Sequence, residues 1–297
     1  MAKPPSTPET PAPAKSVKSA ERVLDILEQA IPAEHGITFT DLLKTLKFPK
    51  SSLHALLDVL VRRQYLELDE DSRRYTLGIR TLEAGEAYLR SHDIINVARQ
   101  AMEALVQQVN ETAQLARLSG TENVYLARVD STHALRLLSE TGVRLQAHAT
   151  GVGKALLAGL DDDALGRLYP SETLPVYTDT TLSNPSALAD ELERTRRRGF
   201  AVDNQEYTPG VFCLAVPIPG NEGRAEVSLS VSVPMTRVSR KALTHILSQL
   251  AATSLDISRR IGNTAGNAKL AALSDPDMAG AQIEALVHSP HYGLELD

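Results

Sequence analysis

The chain has 297 residues, 42% of them apolar, and carries 31 Lys and Arg against 37 Asp and Glu, a net charge of −6. That length and apolar share suit two domains with genuine cores. A single Cys excludes an internal disulfide framework and a Cys-rich zinc site, and there is neither a bilayer-length apolar run nor the apolar middle of a signal peptide, so the expected location is the cytoplasm, away from membranes.

Residues 1–15, MAKPPSTPETPAPAK, are rich in Pro, Ala and Thr and cannot build a core, which predicts a disordered arm. Over 16–79 the pattern predicts a DNA-reading domain. Thr40 can cap a helix with Leu42, Leu43 and Leu46 at helical spacing, and Phe48-Pro49 stops it. Ser51 or Ser52 can cap the next helix, where Leu53, Leu56, Leu57, Leu60 and Val61 form an inward stripe. Lys50, Ser52, His54 and Asp58 then point outward, and a helix of this kind fits the major groove with its N-terminal end toward base edges. Tyr65, Leu66 and Leu68 alternate into a strand, Asp69 to Ser72 make a turn, and Arg73, Arg74, Tyr75 and Leu77 return as a second strand. Arg73 and Arg74 at that tip are expected near the DNA backbone or minor groove. The same stretch also reads as a small helical protein-interaction module with a hairpin.

Charge adds a constraint. Residues 1–80 hold 12 Lys and Arg against 11 Asp and Glu, and the rest hold 19 against 26. A near-neutral head neutralises few phosphates, so pairing two heads on a palindromic site is a physical expectation.

Residues 80–95 predict a linker helix bearing Leu82, Gly85, Tyr88 and Leu89. A second helix over 94–109 follows, with Ile95, Ala98, Met102, Leu105 and Val109 as its stripe. This segment either holds partners together or forms the outer helix of the next domain. Over 96–262, AQLARLSG, ENVYLARVD and HALRLLSE suggest an antiparallel meander, and HATGVGKALLAGL a helix entered through glycines. A short helix at 161–168 and the charged helix ALADELERTRRR, ended by Gly199, come next. FAVDN, VFCLAVPIPG and AEVSLSVSVP supply strands, with Asn221-Glu222-Gly223 as a turn, before the helix LTHILSQLAATSLDISRRIG. Helices at both ends of a mostly antiparallel sheet indicate an α/β sensor-like domain. The tail 263–297, rich in Ala and Gly, is either a loosely attached helix pair or disordered.

Gly151, Gly153 and Lys154 resemble a phosphate loop superficially, but the spacing of a nucleotide P-loop is absent and no cofactor is expected. The glycines let the chain pack closely at a helix entrance whose free N–H groups favour a small carboxylate, with Thr150 as a further donor, or they serve only a tight turn. Cys213 lacks partners at catalytic spacing and reads as a small core residue more readily than as a ligand contact. Ser228, Ser230 and Ser232 share one face of a strand, which is costly in a dry core unless a polar ligand or the backbone takes their hydrogen bonds, or the face meets solvent. Asp203, Asn204 and Glu206 either line a pocket rim or form a polar loop. The histidines are scattered without metal-binding spacing, and no nucleophile constellation for an enzyme rises above background.

SVKSAERVLDILE, FPKSSLHALLDVL, RRYTLG, HATGVGKALLAGL, RRRGFAVDNQEYTPGVFCLAVPI and SLSVSVP occur in this order, and with them the chain resembles the IclR family of bacterial transcriptional regulators from about Val17 to Ile261. The resemblance implies an N-terminal winged helix-turn-helix domain, mainly α with a β wing. A helix joins it to a C-terminal α/β effector-binding domain of GAF/PAS type. It also implies a dimer or tetramer acting on catabolic operons in response to a small organic acid or aromatic effector. By the same resemblance the effector contacts are Gly151, Val152, Asp203, Cys213, Ser230 and Ser232, and the expected DNA contacts are Thr40, Lys50, Ser51, Ser52, His54, Arg62, Arg73 and Arg74. Two departures stand out: Ala55 follows His54 where members commonly carry Arg, and Val152 is bulkier than the Ala or Gly often found there. The tail past Gly262 lies outside the resemblance.

Overall fold

The computed structural model describes residues 17–91, 93–134, 140–220, 225–263, 266–294 and 296. The predicted arm at 1–15, the turn at 221–223 and most of HALRLLSE lie outside them. The chain divides into two compact units, Met1–Ser91 and His92–Asp297.

In the first unit, α1 (Lys18–Ala30), α2 (Phe39–Leu46) and α3 (Lys50–Arg62) surround a core of Ile26, Ala30, Leu42, Leu53, Leu57, Leu60 and Leu66. The α3 stripe is therefore buried as its spacing predicts. The caps differ from expectation. Thr38, not Thr40, caps α2, its hydroxyl accepting from the Asp41 N–H at 3.2 Å; Thr40 lies within the first turn and is exposed. Lys47 ends α2 in the left-handed region (φ 54°), and α3 restarts directly after Pro49, which takes the cap position. Ser51 and Ser52 fall within the first turn, and neither caps the helix.

Strands β1 (Ile37–Thr38), β2 (Leu66–Asp69) and β3 (Arg74–Leu77) form an antiparallel sheet in the order β1-β3-β2. The two-residue β1 is too short to announce itself by alternation. Arg73, predicted in the returning strand, instead sits in the hairpin turn at φ 54°. The Asp69 carboxylate accepts from the Asp71 and Ser72 N–H groups at 2.9 and 3.1 Å and holds that turn. Gly36 precedes β1 at φ 74°, wedged against Tyr75 and Thr76, where any side chain would collide. Helix α4 (Ile79–Ser91) completes this unit.

The second unit is a six-stranded, wholly antiparallel sheet of β4 (Thr112–Ser119), β5 (Glu122–Val129), β6 (Arg144–Gln146), β7 (Ala201–Asn204), β8 (Val211–Pro219) and β9 (Ala225–Pro234). Its order is β6-β5-β4-β9-β8-β7. Helix α5 (Asp93–Val109) buries Ile95, Ala98, Met102 and Leu105 in this unit, so it is the outer helix that the sequence left undecided. Helices α6 (Gly151–Leu157), α7 (Asp162–Leu168) and α8 (Pro185–Arg198) follow β6, and α9 (Arg240–Arg260) follows β9. Asp161, Asn184 and Ser239 cap α7, α8 and α9 through their side chains, and Gly199 closes α8 at φ 87°.

Pro217 and Pro219 carry no N–H, and α9 ties down their carbonyls. Ser254 donates to Pro217 O and Ser258 to Pro219 O, each at 2.7 Å. The tail is a helix pair, α10 (Ala268–Leu273) and α11 (Pro276–Val287), and it is firmly docked. Leu270, Leu273, Ile283 and Leu286 are buried, and Gly280 lies against Thr244 of α9. At roughly 1.5–3 kcal/mol per buried side chain, this attachment is substantial. No helix of the described residues is long and apolar enough to cross a membrane.

Candidate functional site

In the first unit the exposed start of α3 presents Lys50, Ser51 and His54 on the face opposite the core. Ser52 is half-buried and accepts from Arg22 Nη1 at 3.1 Å, which ties α3 to α1. His54 Nδ1 lies 3.3 Å from Asp58, and its ring is 6.1 Å from that of Phe39. Ala55 is exposed on the same helix, where an Arg would extend this surface. Arg62 stands at the other end of α3, about 18 Å away along the helix axis, in a groove with Arg63, Gln64, Tyr65 and Arg80. Arg73 pairs with Glu70 at 2.8 Å in the turn, while Arg74 donates to Gly36 O at 2.8 Å and braces the sheet. The fold thus gathers Lys50, Ser51 and His54 on one turn of α3, leaves Thr40 exposed on α2, and holds Arg62 apart.

In the second unit, Gly151, Val152, Asp203, Cys213, Ser230 and Ser232 all line one cavity of about 30 Å³. Strand register explains the meeting. Asp203 pairs with Cys213 and Cys213 with Ser232, so three strands place one residue each along a single row of the sheet. Ser230 sits in the next row, opposite Ala215 and Gln114. Helix α6 lies close over this face at Gly151, where an added Cβ would stand 3.3 and 3.5 Å from the Cβ atoms of Ala215 and Cys213. Gly153 is pressed onto the Ala147 backbone, where a Cβ would overlap main-chain atoms. Val152 is buried, and its carbonyl accepts from the Ser228 hydroxyl at 2.9 Å.

The serines are neither on a solvent face nor merely bonded locally. Ser230 and Ser232 are buried and both donate to Gln114 Oε1, at 3.2 and 2.9 Å. Gln114 escaped the sequence reading, although a lone amide in the apolar strand TAQLARL was a signal. Cys213 is buried beside Ser232, with Sγ and Oγ 3.1 Å apart, and its thiol is pushed up by burial and by the Asp203 carboxyl. Tyr125 and Tyr207 bring aromatic rings to the cavity wall, and burial holds the Tyr125 hydroxyl protonated.

Beneath the cavity is a feature that the sequence did not disclose. Lys154, the residue of the apparent phosphate loop, is completely buried and ion-paired with Glu206. Glu206 is buried as well, so the polar loop is part of the interior. Asp203 accepts from the Glu206 N–H at 2.8 Å. Burial and the neighbouring Glu206 push the Asp203 carboxyl up to about 7, with Lys154 pulling the other way. Thr178 and Thr181 donate to Glu206 O, and Thr180 to Asn204 O, which straps the loop in place.

Residues 19–70 match the IclR helix-turn-helix domain, and residues 86–259 match the family described as bacterial transcriptional regulator IclR C-terminal. The chain is 33% identical to the HTH-type transcriptional regulator XynR of Escherichia coli over 246 residues, 83% of this chain and 98% of that one. It is 34% identical to the HTH-type transcriptional regulator BhcR of Paracoccus denitrificans over 223 residues, 75% and 80% of the two chains. Among solved structures, an IclR homologue from Microbacterium hydrocarbonoxydans in complex with 4-hydroxybenzoate superposes with a TM-score of 0.72 at 26% identity. That superposition covers 82% of this chain and 98% of that one. The start of α3 and the residues named for the cavity thus fall within matched segments, in a winged head and a curled-sheet domain enclosing a small polar cavity, and the chain belongs to the IclR family of DNA-binding, effector-modulated bacterial transcriptional regulators.

Proposed function

We propose that this regulator represses a catabolic operon in the cytoplasm as a homodimer or homotetramer bound to a palindromic operator. A small organic acid or aromatic effector in the second unit's cavity changes that hold. The observation that carries the reading is the convergence of Gly151, Val152, Asp203, Cys213, Ser230 and Ser232 on one cavity, from residues up to 81 positions apart in the chain. An aromatic ligand is the bound species in the Microbacterium homologue. The small cavity requires its walls to yield to a ring, whereas a two- or three-carbon acid needs less room.

On the DNA side, Lys50, Ser51 and His54 take base edges and phosphates at the start of α3, with Thr40, Ser52, Arg62, Arg73 and Arg74 as further contacts. Arg74 must keep or exchange its bond to Gly36 to do so. Leu24 of α1, Ile31 just past its end and Ile79, Leu82 and Tyr88 of α4 are exposed apolar side chains in the first unit, and pairing of two copies would cover such surface. The effector acts only through its different affinities for the two arrangements of the regulator, commonly a coupling of about 1–3 kcal/mol.

The test is an electrophoretic shift of the duplex upstream of the protein's own gene, repeated with glyoxylate, pyruvate and 4-hydroxybenzoate. A specific shift altered by one acid is expected, and a folded oligomer that shifts no duplex under any condition would overturn the proposal.

A further inference from the structure

The cavity offers a carboxylate effector no cation. Among the described residues that line it there is no Lys, Arg or His. The nearest ammonium, Lys154, lies wholly inside the wall and is committed to Glu206. Asp203 faces the cavity as a second carboxyl for that one ammonium, 5% exposed, holding the Glu206 N–H at 2.8 Å. The hydroxyls bring no charge, since those of Tyr125, Tyr207 and Thr208 on the wall are neutral donors and the others are engaged. Ser230 and Ser232 donate to Gln114, and Thr150 donates to Asn123 at 2.7 Å. An acid bound here as a bare anion would put three carboxylates around one ammonium in a medium that screens poorly.

We infer that an acidic effector enters this cavity together with one proton, held between its carboxylate and that of Asp203, so that the regulator senses the acid and the proton jointly. The inference rests on the reading of the cavity as the site of a small acid. The proton comes from solvent. It bridges one oxygen of the ligand and one of Asp203, and the site keeps the charge it has with Asp203 ionised.

The groups facing Asp203 support this. Glu206 and Tyr207 approach from the loop that follows its strand, Lys154 from α6, Tyr125 from β5 and Cys213 from β8. Glu191 of α8 acts on Glu206 from behind. Tyr125 and Cys213 are both pushed up and keep their protons near neutrality. Burial pushes the Glu206 carboxyl up as well, with its lysine pulling the other way, and Asp203, which has no ion pair of its own, is the carboxyl that lines the cavity.

Calorimetry on the full-length protein decides the matter, with glyoxylate, pyruvate and 4-hydroxybenzoate titrated from pH 6 to 8.5 in buffers of differing ionisation enthalpy. The expected result is uptake of about one proton at pH 8 and little at pH 6. Affinity should weaken about tenfold per pH unit above neutrality. Asp203→Asn should abolish both the proton uptake and the pH dependence of affinity. Should that variant fail to fold, the proton count on the natural protein is sufficient alone. An acid that binds with no proton uptake and a constant Kd to pH 8.5 overturns the inference and leaves the effector reading standing. If none of the three acids binds even at pH 6, the small-acid reading itself falls, and the inference with it.

Discussion

Lys154 and Glu206 form an ion pair sealed in the interior of the second unit, 52 residues apart in sequence, with 0% and 6% of their side chains exposed. A buried pair of this kind is weak support for stability, because desolvation offsets most of the attraction, yet removing one partner strands the other. Lys154→Met is therefore expected to destabilise by about 3–5 kcal/mol, and adding Glu206→Leu to recover much of that loss. Urea denaturation of the two single variants and the double variant measures the coupling. Simple additivity would show that the pair does not act as a unit.

Asp203 should leave a pH signature on stability in the absence of any ligand. Its ordinary pKa of 3.8 is pushed up to about 7 by burial and by Glu206. The folded state thus favours the protonated form, and the contribution of this group is fully present below pH 4 and is lost as pH rises through 7. Asp203→Asn keeps an oxygen for the Glu206 N–H but escapes that loss. Relative to the natural protein, its melting temperature should gain steadily from pH 4 to pH 7 and level off above. A constant difference across that range would contradict the assignment.

Lys50 is exposed on the first turn of α3, so Lys50→Ala should weaken binding to operator and random duplex alike and lower the salt slope by about one. Ala55→Arg should act in the opposite sense by restoring a cation on the same helix. Fluorescence anisotropy at several salt concentrations tests both, and unchanged curves would remove α3 from the DNA contacts.

Ser230→Ala removes one of two hydroxyls that donate to Gln114 Oε1, while Ser232 still satisfies that oxygen. The folding cost should stay near 1 kcal/mol. Effector affinity should fall several-fold, with the operator affinity of the free regulator unaltered. Equal losses of both affinities would indicate a general defect in the domain.

The tail supplies Tyr292, whose hydroxyl donates to the buried Glu191 carboxylate at 2.8 Å and accepts from Arg198, while its carbonyl accepts from Asn204 Nδ2 at 2.8 Å. Tyr292→Phe should cost about 1–2 kcal/mol in thermal or urea unfolding. Ending the chain at Gly262 should cost more, since it uncovers the surface of α9 that α10 and α11 now cover. A truncated protein as stable as the full chain would contradict the docking of α10 and α11.

Local pattern is what the residues alone made legible: the α3 stripe, the apolar runs of β8 and β9, the stop at Gly199 and the shared face of Ser228, Ser230 and Ser232. The resemblance then named the six cavity residues, and strand register brings them together. Helix caps were less legible, because Thr38, Thr40, Ser51 and Ser52 can all cap, and only the path of the chain through Lys47 and Pro49 selects among them. The tail lacked a readable pattern because its apolar residues match the surface of α9 rather than a period of their own. Length, composition and residue order by themselves determined two domains, a winged reading head and a sensor sheet. Only the tertiary structure decided that Lys154 serves Glu206 instead of a phosphate, that Gln114 receives the serines, and that Asp203 faces the cavity without a cation. Burial and charge balance are set by residues distant in the chain, and no local pattern encodes them.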